Sequence, residues 1–284
     1  MDLHDFGLAS DLEVMQQQAL ERRRLLRWVL AGAAGLPLIS CGGSGASDTA
    51  ATSTSGATGT GSSTTQASSA CAVIPEETGG PYPADGTNTN GGSIINVLNQ
   101  SGVVRSDIRS SFNGATGVAA GVPLTIRLQL VNANASCASL AGYAIYLWHC
   151  DRDGLYSLYS SGVTAQNYLR GVQETDSTGS LSFATIFPGC YAGRMPHVHF
   201  EVYPSLAKAV AASNRIKTSQ FTFPLATLNE VYTASGYTSS VRNLAQISYA
   251  TDNVFSDGTS LQMAGVTGNA TDGYVVTLTI GVNG

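Results

Sequence analysis

His197 and His199 stand two residues apart in the run Phe187-Pro188-Gly189-Cys190-Tyr191-Ala192-Gly193-Arg194-Met195-Pro196-His197-Val198-His199-Phe200. Apolar Val198 and Phe200 fill the alternate positions, as in an extended strand, where residues i and i+2 face the same way. Both imidazoles therefore point to one side. Imidazole is the commonest metal-binding side chain, so a same-face pair is half of a metal site. Such a pair can equally be an ordinary hydrogen-bonded pair, and its neighbours decide between the two. Tyr191, six residues before His197, and Arg194, three before it, both follow the Pro188-Gly189 turn and are candidates to complete a site.

The elements that must position these residues read as strands. Residues 123–131 alternate apolar and polar side chains, the pattern of a half-buried strand. Strand patterns recur over 142–149, 181–186, 198–203, 219–223 and 274–280. Turn sequences separate them: Asp151-Arg152-Asp153-Gly154, Asp176-Ser177-Thr178-Gly179 and Pro188-Gly189. Short strands, polar turns and no long amphipathic helix predict an all-β fold, an antiparallel β-sandwich with short helices and long loops. Short helices are expected around 206–212 and 239–245.

This domain is expected to span residues 71–284. Residues 1–41 read as an export signal, with Arg22-Arg23-Arg24 ahead of an apolar stretch from Leu25 to Ile39 that ends in Leu38-Ile39-Ser40-Cys41. The stretch is broken by Arg27 and Pro37, too short to span a bilayer. The tandem arginines resemble a twin-arginine signal, and the Cys41 tetrapeptide resembles a lipobox, which would make Cys41 a lipidated first residue. Residues 42–70 contain only Gly, Ser, Thr and Ala apart from Asp48 and Gln66. No apolar face can form there, so a flexible tether of roughly 30 Å r.m.s. span is expected. The expected location is periplasmic or cell-surface, with membrane contact only through that anchor.

With the four arginines and six carboxylates of residues 1–70 set aside, ten basic and thirteen acidic residues remain. Their only lysines are Lys208 and Lys217, and no basic stripe is present, which argues against a nucleic-acid partner. Cys71, Cys137, Cys150 and Cys190 make an even number in an exported domain, which favours two disulfides. No Cys-x2-Cys pair is present to suggest structural zinc.

Upstream of the histidines, a strand ending in Trp148 runs into the Asp-Gly turn and emerges as Gly154-Leu155-Tyr156. Arg170-Gly171 and Thr175-Asp176-Ser177-Thr178-Gly179 follow, then Pro188-Gly189-Cys190-Tyr191 and Arg194-Met195-Pro196-His197-Val198-His199. This order resembles the intradiol ring-cleaving dioxygenases, the group of catechol and protocatechuate dioxygenases. Thr218 to Phe223 is similar to that family's glutamine-bearing strand, and Glu77-Thr78-Gly79-Gly80-Pro81-Tyr82 to its N-terminal segment. The resemblance covers roughly Cys71 to Phe223; residues beyond match nothing specific.

The resemblance implies a mononuclear ferric site, Fe(3+), held by Tyr156, Tyr191, His197 and His199. It implies an aromatic diol and dioxygen as substrates, with ring opening between the two hydroxylated carbons. Tyr191 would be the displaced ligand and act as base, while Tyr156 stays bound. Arg194 would stabilise developing negative charge, and Tyr82 and Gln220 would line the pocket beside it. Two phenolate oxygens suit ferric iron, whereas two histidines with one carboxylate suit ferrous oxygenases. His149 is expected to support the site or the core rather than bind metal. Family members are often oligomers.

Two features depart from the family pattern. The stretch between Tyr191 and Arg194 is very short, which suggests an open site and a bulkier or unusual diol. Cysteines flank the site, and the pairings Cys137–Cys150 and Cys71–Cys190 are expected to buttress it. Rival metalloenzymes fail on inventory. A copper-zinc superoxide dismutase site needs more histidines than His149 adds, and a cupin needs a histidine after His199. The remaining rival is an anchored β-sandwich that binds a ligand without chemistry.

Overall fold

In the computed structural model of the protein, residues 71–284 are described, and they form two stacked β-sheets. The leader, including Arg22-Arg23-Arg24 and Cys41, and the 42–70 tether lie outside the described residues.

The first sheet is organised around β3 (Pro123–Asn132). β7 (Ser180–Ile186) pairs with its first part antiparallel, and the two-residue β4 (Ala138–Ser139) pairs with its end. The last strand, β11 (Gly273–Val282), lies on the other side of β3, with β10 (Gly265–Asn269) at the outer edge. The second sheet runs β6 (Arg170–Glu174), β5 (Ala144–Trp148), β8 (His197–Tyr203), β9 (Lys217–Thr222), antiparallel throughout. A separate hairpin, β1 (Asp85–Asn90) with β2 (Ser93–Asn96), follows the N-terminal segment.

The sandwich is as expected, with one difference in strand direction. β11 and β3 pair in parallel over nine residues, Tyr274 opposite Leu124 through Val282 opposite Asn132. Parallel neighbours require a crossover rather than a hairpin, and the second sheet lies between them in the chain. The core follows the strand alternation. Leu124, Ile126, Leu128 and Leu130 of β3 face inward while Arg127 and Gln129 face out. From the other sheet, Ile145, Leu147, Val198, Phe200 and Val202 join the same apolar cluster.

Strand β8 behaves differently, because all seven of its residues are buried. Its Val198-Phe200-Val202 face meets the core between the sheets. Its His197-His199-Glu201-Tyr203 face is covered by the N-terminal segment and the loops around Tyr156. The alternation in its sequence therefore marks two kinds of buried environment, one dry and apolar and one dry and polar. The C-terminal part of the chain adds α1 (Leu225–Val231) and α2 (Thr238–Leu244), the second close to the expected 239–245 helix. The expected helix around 206–212 is two short 3-10 turns, Leu206–Lys208 and Ala212–Asn214. None of the helices described is long and apolar enough to cross a membrane.

The expected cysteine pairings are corrected. Cys71 is bonded to Cys137, and Cys150 and Cys190 are free and buried. Topology explains the choice. Ile74 N–H donates to Gly281 O, and Ala133 N–H to Val282 O, so the entering chain and the turn after β3 meet at one end of the β3–β11 pair. There the Cα atoms of Cys71 and Cys137 lie 5.3 Å apart, and the bridge closes a loop across 66 residues. A loop of that length gives about 4 kcal/mol by loop-closure entropy. The other two thiols point at backbone carbonyls, Cys150 Sγ to Gly189 O and Cys190 Sγ to Arg194 O, each at 3.5 Å.

His149 links the two sheets. It is buried, its Nδ1–H donates to Cys150 O at 2.7 Å, and its Nε2 accepts from Thr185 Oγ1 of β7 at 2.7 Å. With both nitrogens used in this way the ring is neutral, and it supports the core as expected. Burial lowers its pKa to about 4, with the Arg170 charge adding to the effect and the Cys150 carbonyl opposing it. A depressed histidine contributes stability that is present above about pH 6.5 and lost as pH falls through about 4. We expect urea-unfolding free energy to decline by roughly 3 kcal/mol across that window, one pKa shift unit being worth about 1.4 kcal/mol. His149→Gln should lower stability at pH 7 and flatten the acid limb; an acid limb as steep as that of the wild type would refute the assignment.

Candidate metal centre and its surroundings

Strand pairing sets the position of the two imidazoles. His199 stands directly across from Trp148 on β5 and Gln220 on β9, and His197 across from Thr222. The His199 ring lies flat on Trp148, centroids 4.9 Å apart at 1°, and Trp148 in turn stacks on Tyr146 at 5.0 Å. His197 is held differently. Its Nδ1 lies 2.6 Å from Met195 O, a carbonyl that can only accept, so Nδ1 carries the hydrogen and Nε2 presents a lone pair.

That lone pair faces three further heteroatoms. His199 Nε2 lies 3.1 Å from it, Tyr191 Oη 3.3 Å and Tyr156 Oη 3.4 Å. The four side chains named from the sequence thus converge. Burial pushes both histidines well below the usual imidazole range, with Arg194 adding to the effect on His197, and His197 and then Arg194 on His199. Burial likewise pushes Tyr156 well above the usual phenol range, with Tyr191 beside it adding to the shift. Burial of Tyr156 outweighs the opposing Arg194 charge, so ionising that phenol calls for a stronger local source of positive charge. A bound multivalent cation supplies it, since it inverts the local pKa logic. Among the described residues, no three His, Cys, Asp or Glu side chains gather to hold a metal ion. Here the donor set is two nitrogens and two phenol oxygens, which fits a hard trivalent ion.

The tyrosines arrive on tight turns. Asp151 Oδ1 accepts from the backbone N–H of Asp153 and Leu155, and Gly154 N–H closes the turn onto Asp151 O. Gly154 has φ +85°, and a Cβ there would stand 2.9 Å from Tyr191 Cβ, so the first turn is packed against the second tyrosine. Tyr156 is buried, while Tyr191 is half-buried and is followed by exposed Ala192 and Gly193. The short Tyr191–Arg194 connection therefore leaves Tyr191 on the open side.

Arg170, seen in the sequence only as a motif element, ties this region together. From β6 its Nε donates to Ser157 Oγ, its Nη2 to Ser157 O and its Nη1 to Pro83 O. One buried guanidinium thereby fixes the residue after Tyr156 and the residue after Tyr82. Tyr82 stands 5.1 Å from the Tyr156 ring and 5.0 Å from Tyr159. Glu77 N–H donates to Thr218 O on β9, which brings Gly80 over His199.

Arg194 is 4 % exposed and forms a bidentate link inside the protein. Its Nε donates to Asp252 Oδ2 at 2.9 Å and its Nη2 to Gln220 Oε1 at 2.7 Å. Burial opposes its charge, but Tyr191 and Asp252 outweigh it and hold the guanidinium above its usual range. Gln220 Nε2 is bonded to Thr78 O at 2.8 Å, so both ends of its amide are in use and it bridges Arg194 to the N-terminal segment. Asp252 escaped the sequence reading: it is a lone aspartate in a stretch with no motif and no strand pattern.

Residues 105–202 match the family model Dioxygenase_C, described as "Dioxygenase". Among solved structures, the chain is similar to an intradiol ring-cleavage dioxygenase from Tetranychus urticae, at 24 % identity over 64 % of this chain and 87 % of that one, with a TM-score of 0.53. It is also similar to the dioxygenase domain of a dioxygenase and carbohydrate-binding protein fusion from Streptomyces sp. SirexAA-E, at 22 % identity over 75 % and 99 %, with a TM-score of 0.46. A catechol 1,2-dioxygenase from Pseudomonas arvilla C-1 matches at 18 % identity over 62 % and 55 %, with a TM-score of 0.40. No curated protein sequence matches.

The packing of the two turns is testable with paired glycines. Gly154 and Gly193 both have positive φ, +85° and +86°, but a Cβ at Gly193 meets nothing within 4 Å. Gly193→Ala should cost about 1 kcal/mol for the backbone alone. Gly154→Ala should cost about 1–3 kcal/mol more from overpacking against Tyr191. Equal unfolding midpoints for the two variants would show that the Tyr191 contact carries no weight.

Proposed function

With the dioxygenase family match and the shared intradiol fold as premise, we propose that this protein is a non-haem Fe(III) intradiol dioxygenase. It would cleave a catechol-type aromatic diol between its hydroxylated carbons, with both atoms of dioxygen ending in the ring-opened dicarboxylic acid. The observation that carries this reading is the approach of Tyr156, Tyr191, His197 and His199 to one another, with the Arg194 guanidinium held nearby.

Ferric iron, when bound, supplies the Lewis acidity that holds a diol as its dianion and makes the ring reactive towards dioxygen. The two imidazole nitrogens and the Tyr156 and Tyr191 oxygens would hold it. The residues of the chain divide the remaining work. Tyr191 stands on the open side, so its Oη is placed to leave and to accept a proton from an incoming diol hydroxyl. Tyr156, wholly buried and fixed through Ser157 and Arg170, stays in place. Arg194 keeps its charge in a dry surrounding, where a fixed cation lowers the cost of negative charge developing on the substrate. Tyr82, against the Tyr156 ring and backed by Tyr159, would offer a ring face to an aromatic substrate. Gln220 acts through Arg194 rather than by lining the pocket alone. Export and lipid attachment at Cys41 remain part of the proposal, supported by the leader motifs.

The test begins with metal analysis and visible absorption of purified protein, followed by a panel of catechols. One iron per chain, a broad visible band and ring-opened products are expected. Colourless, iron-free protein that iron salts do not convert, and that leaves every diol intact, would favour a binding module instead. Tyr156→Phe and His199→Ala should lose iron. Arg194→Lys, chosen because removing the cation strands Asp252 inside the protein, should keep iron and lower turnover about 100-fold.

A further inference from the structure

The segment after Phe223, which no motif marks, reaches back into the site through one residue. Asp252 is 0 % exposed, and each of its carboxylate oxygens is doubly engaged. Oδ1 accepts from Val254 N–H at 2.8 Å and Phe255 N–H at 3.0 Å, which fixes the carboxylate to its own turn. Oδ2 accepts from Arg194 Nε at 2.9 Å and from Met195 N–H at 2.7 Å. Met195 O in turn receives the Nδ1–H of His197. One oxygen atom thus sets both the plane of the Arg194 guanidinium and the residue that fixes the His197 tautomer.

Arg194 commits Nε to Asp252 and Nη2 to Gln220. Phe255, carried on the Asp252 turn, lies under the guanidinium at 5.9 Å and edge-on to His197 at 6.5 Å. The same turn therefore supplies the ion pair and the apolar support for both residues.

We propose that Asp252 is the positioning residue of this site, aligning Arg194 for the substrate and His197 for the metal through a single carboxylate oxygen. This rests on the ring-cleavage reading above. Asp252 touches neither substrate nor metal; its effect passes through its two partners. Asn in its place has one acceptor oxygen for two pairs of N–H donors, so one pair meets an amide N–H instead, and the charge that holds the guanidinium is lost.

The experiment compares wild type, Asp252→Asn, Arg194→Lys and the double variant, each after loading with ferric iron. Asp252→Asn is expected to keep its iron and to turn over about 100-fold more slowly per iron, with KM for catechol changed less than about threefold, since small misplacement of a group costs this much. Its visible iron–tyrosinate band should shift without any turnover, because His197 loses its anchor. The double variant should lose little beyond the worse single variant, as partners acting through one contact are not additive. Turnover per iron within threefold of wild type, an unmoved band, or additive losses would overturn the proposal, even if melting temperature and iron content fall. Should Asp252→Asn not fold, Asp252→Glu, which keeps the charge but lengthens the arm, is judged by the same three readings. An iron-free, inactive wild type would instead refute the ring-cleavage reading itself.

Discussion

Burial of strand β8 on both faces is the constraint from which the site follows. Val198, Phe200 and Val202 lock one face into the sandwich core, and strand geometry then sends His197 and His199 to the other. An imidazole pair on an ordinary half-exposed strand would face water and titrate near its usual value. Here the N-terminal segment and the Tyr156 loop close over it, so both rings are neutral with lone pairs available. The price is that every neighbouring polar group also needs a partner without water.

Two buried cations meet much of that need in different ways, although Trp148 Nε1, on the ring stacked against His199, has no hydrogen-bond partner among the described residues. Arg170 has only neutral acceptors among its hydrogen-bond partners, two carbonyls and two hydroxyls, and it joins loops. Arg194 has a buried carboxylate and an amide, and it is aimed. Further along the same face, Glu201 accepts from Tyr203 Oη at 2.6 Å, and burial, with Asp85 beside it, pushes its pKa up to about 8. The face thus grades from two imidazoles to a carboxyl whose ionisation burial opposes.

Strands with clean alternation were legible in the sequence: β3, β5, β7, β8, β9 and β11 lie where the pattern puts them. Strand β6 was not, because Arg170-Gly171-Val172-Gln173-Glu174 lacks an apolar repeat and is a strand only through its pairing with β5. The hairpin β1–β2, built largely from Asn, Gly, Thr and Ser, was hidden for the same reason. The four converging donors and Arg194 could be named because they sit in separated motifs whose order is informative. Asp252 could not be, since a solitary aspartate gains meaning only when the fold brings residue 252 beside residue 194. Cysteine pairing failed likewise: sequence proximity to the site suggested Cys150 and Cys190 as staples, whereas the parallel β3–β11 pairing decides which thiols meet.

That covalent link at the domain's entrance has a mechanical corollary. Tension arriving along the chain ahead of Cys71 passes through sulfur into the turn after β3, and so into the longest strand pair of the sandwich. The stretch from Glu77 to Tyr82, which roofs His199, lies downstream of the bridge and is spared the load. A domain dragged by its N-terminus would therefore keep the cover of His199 in register.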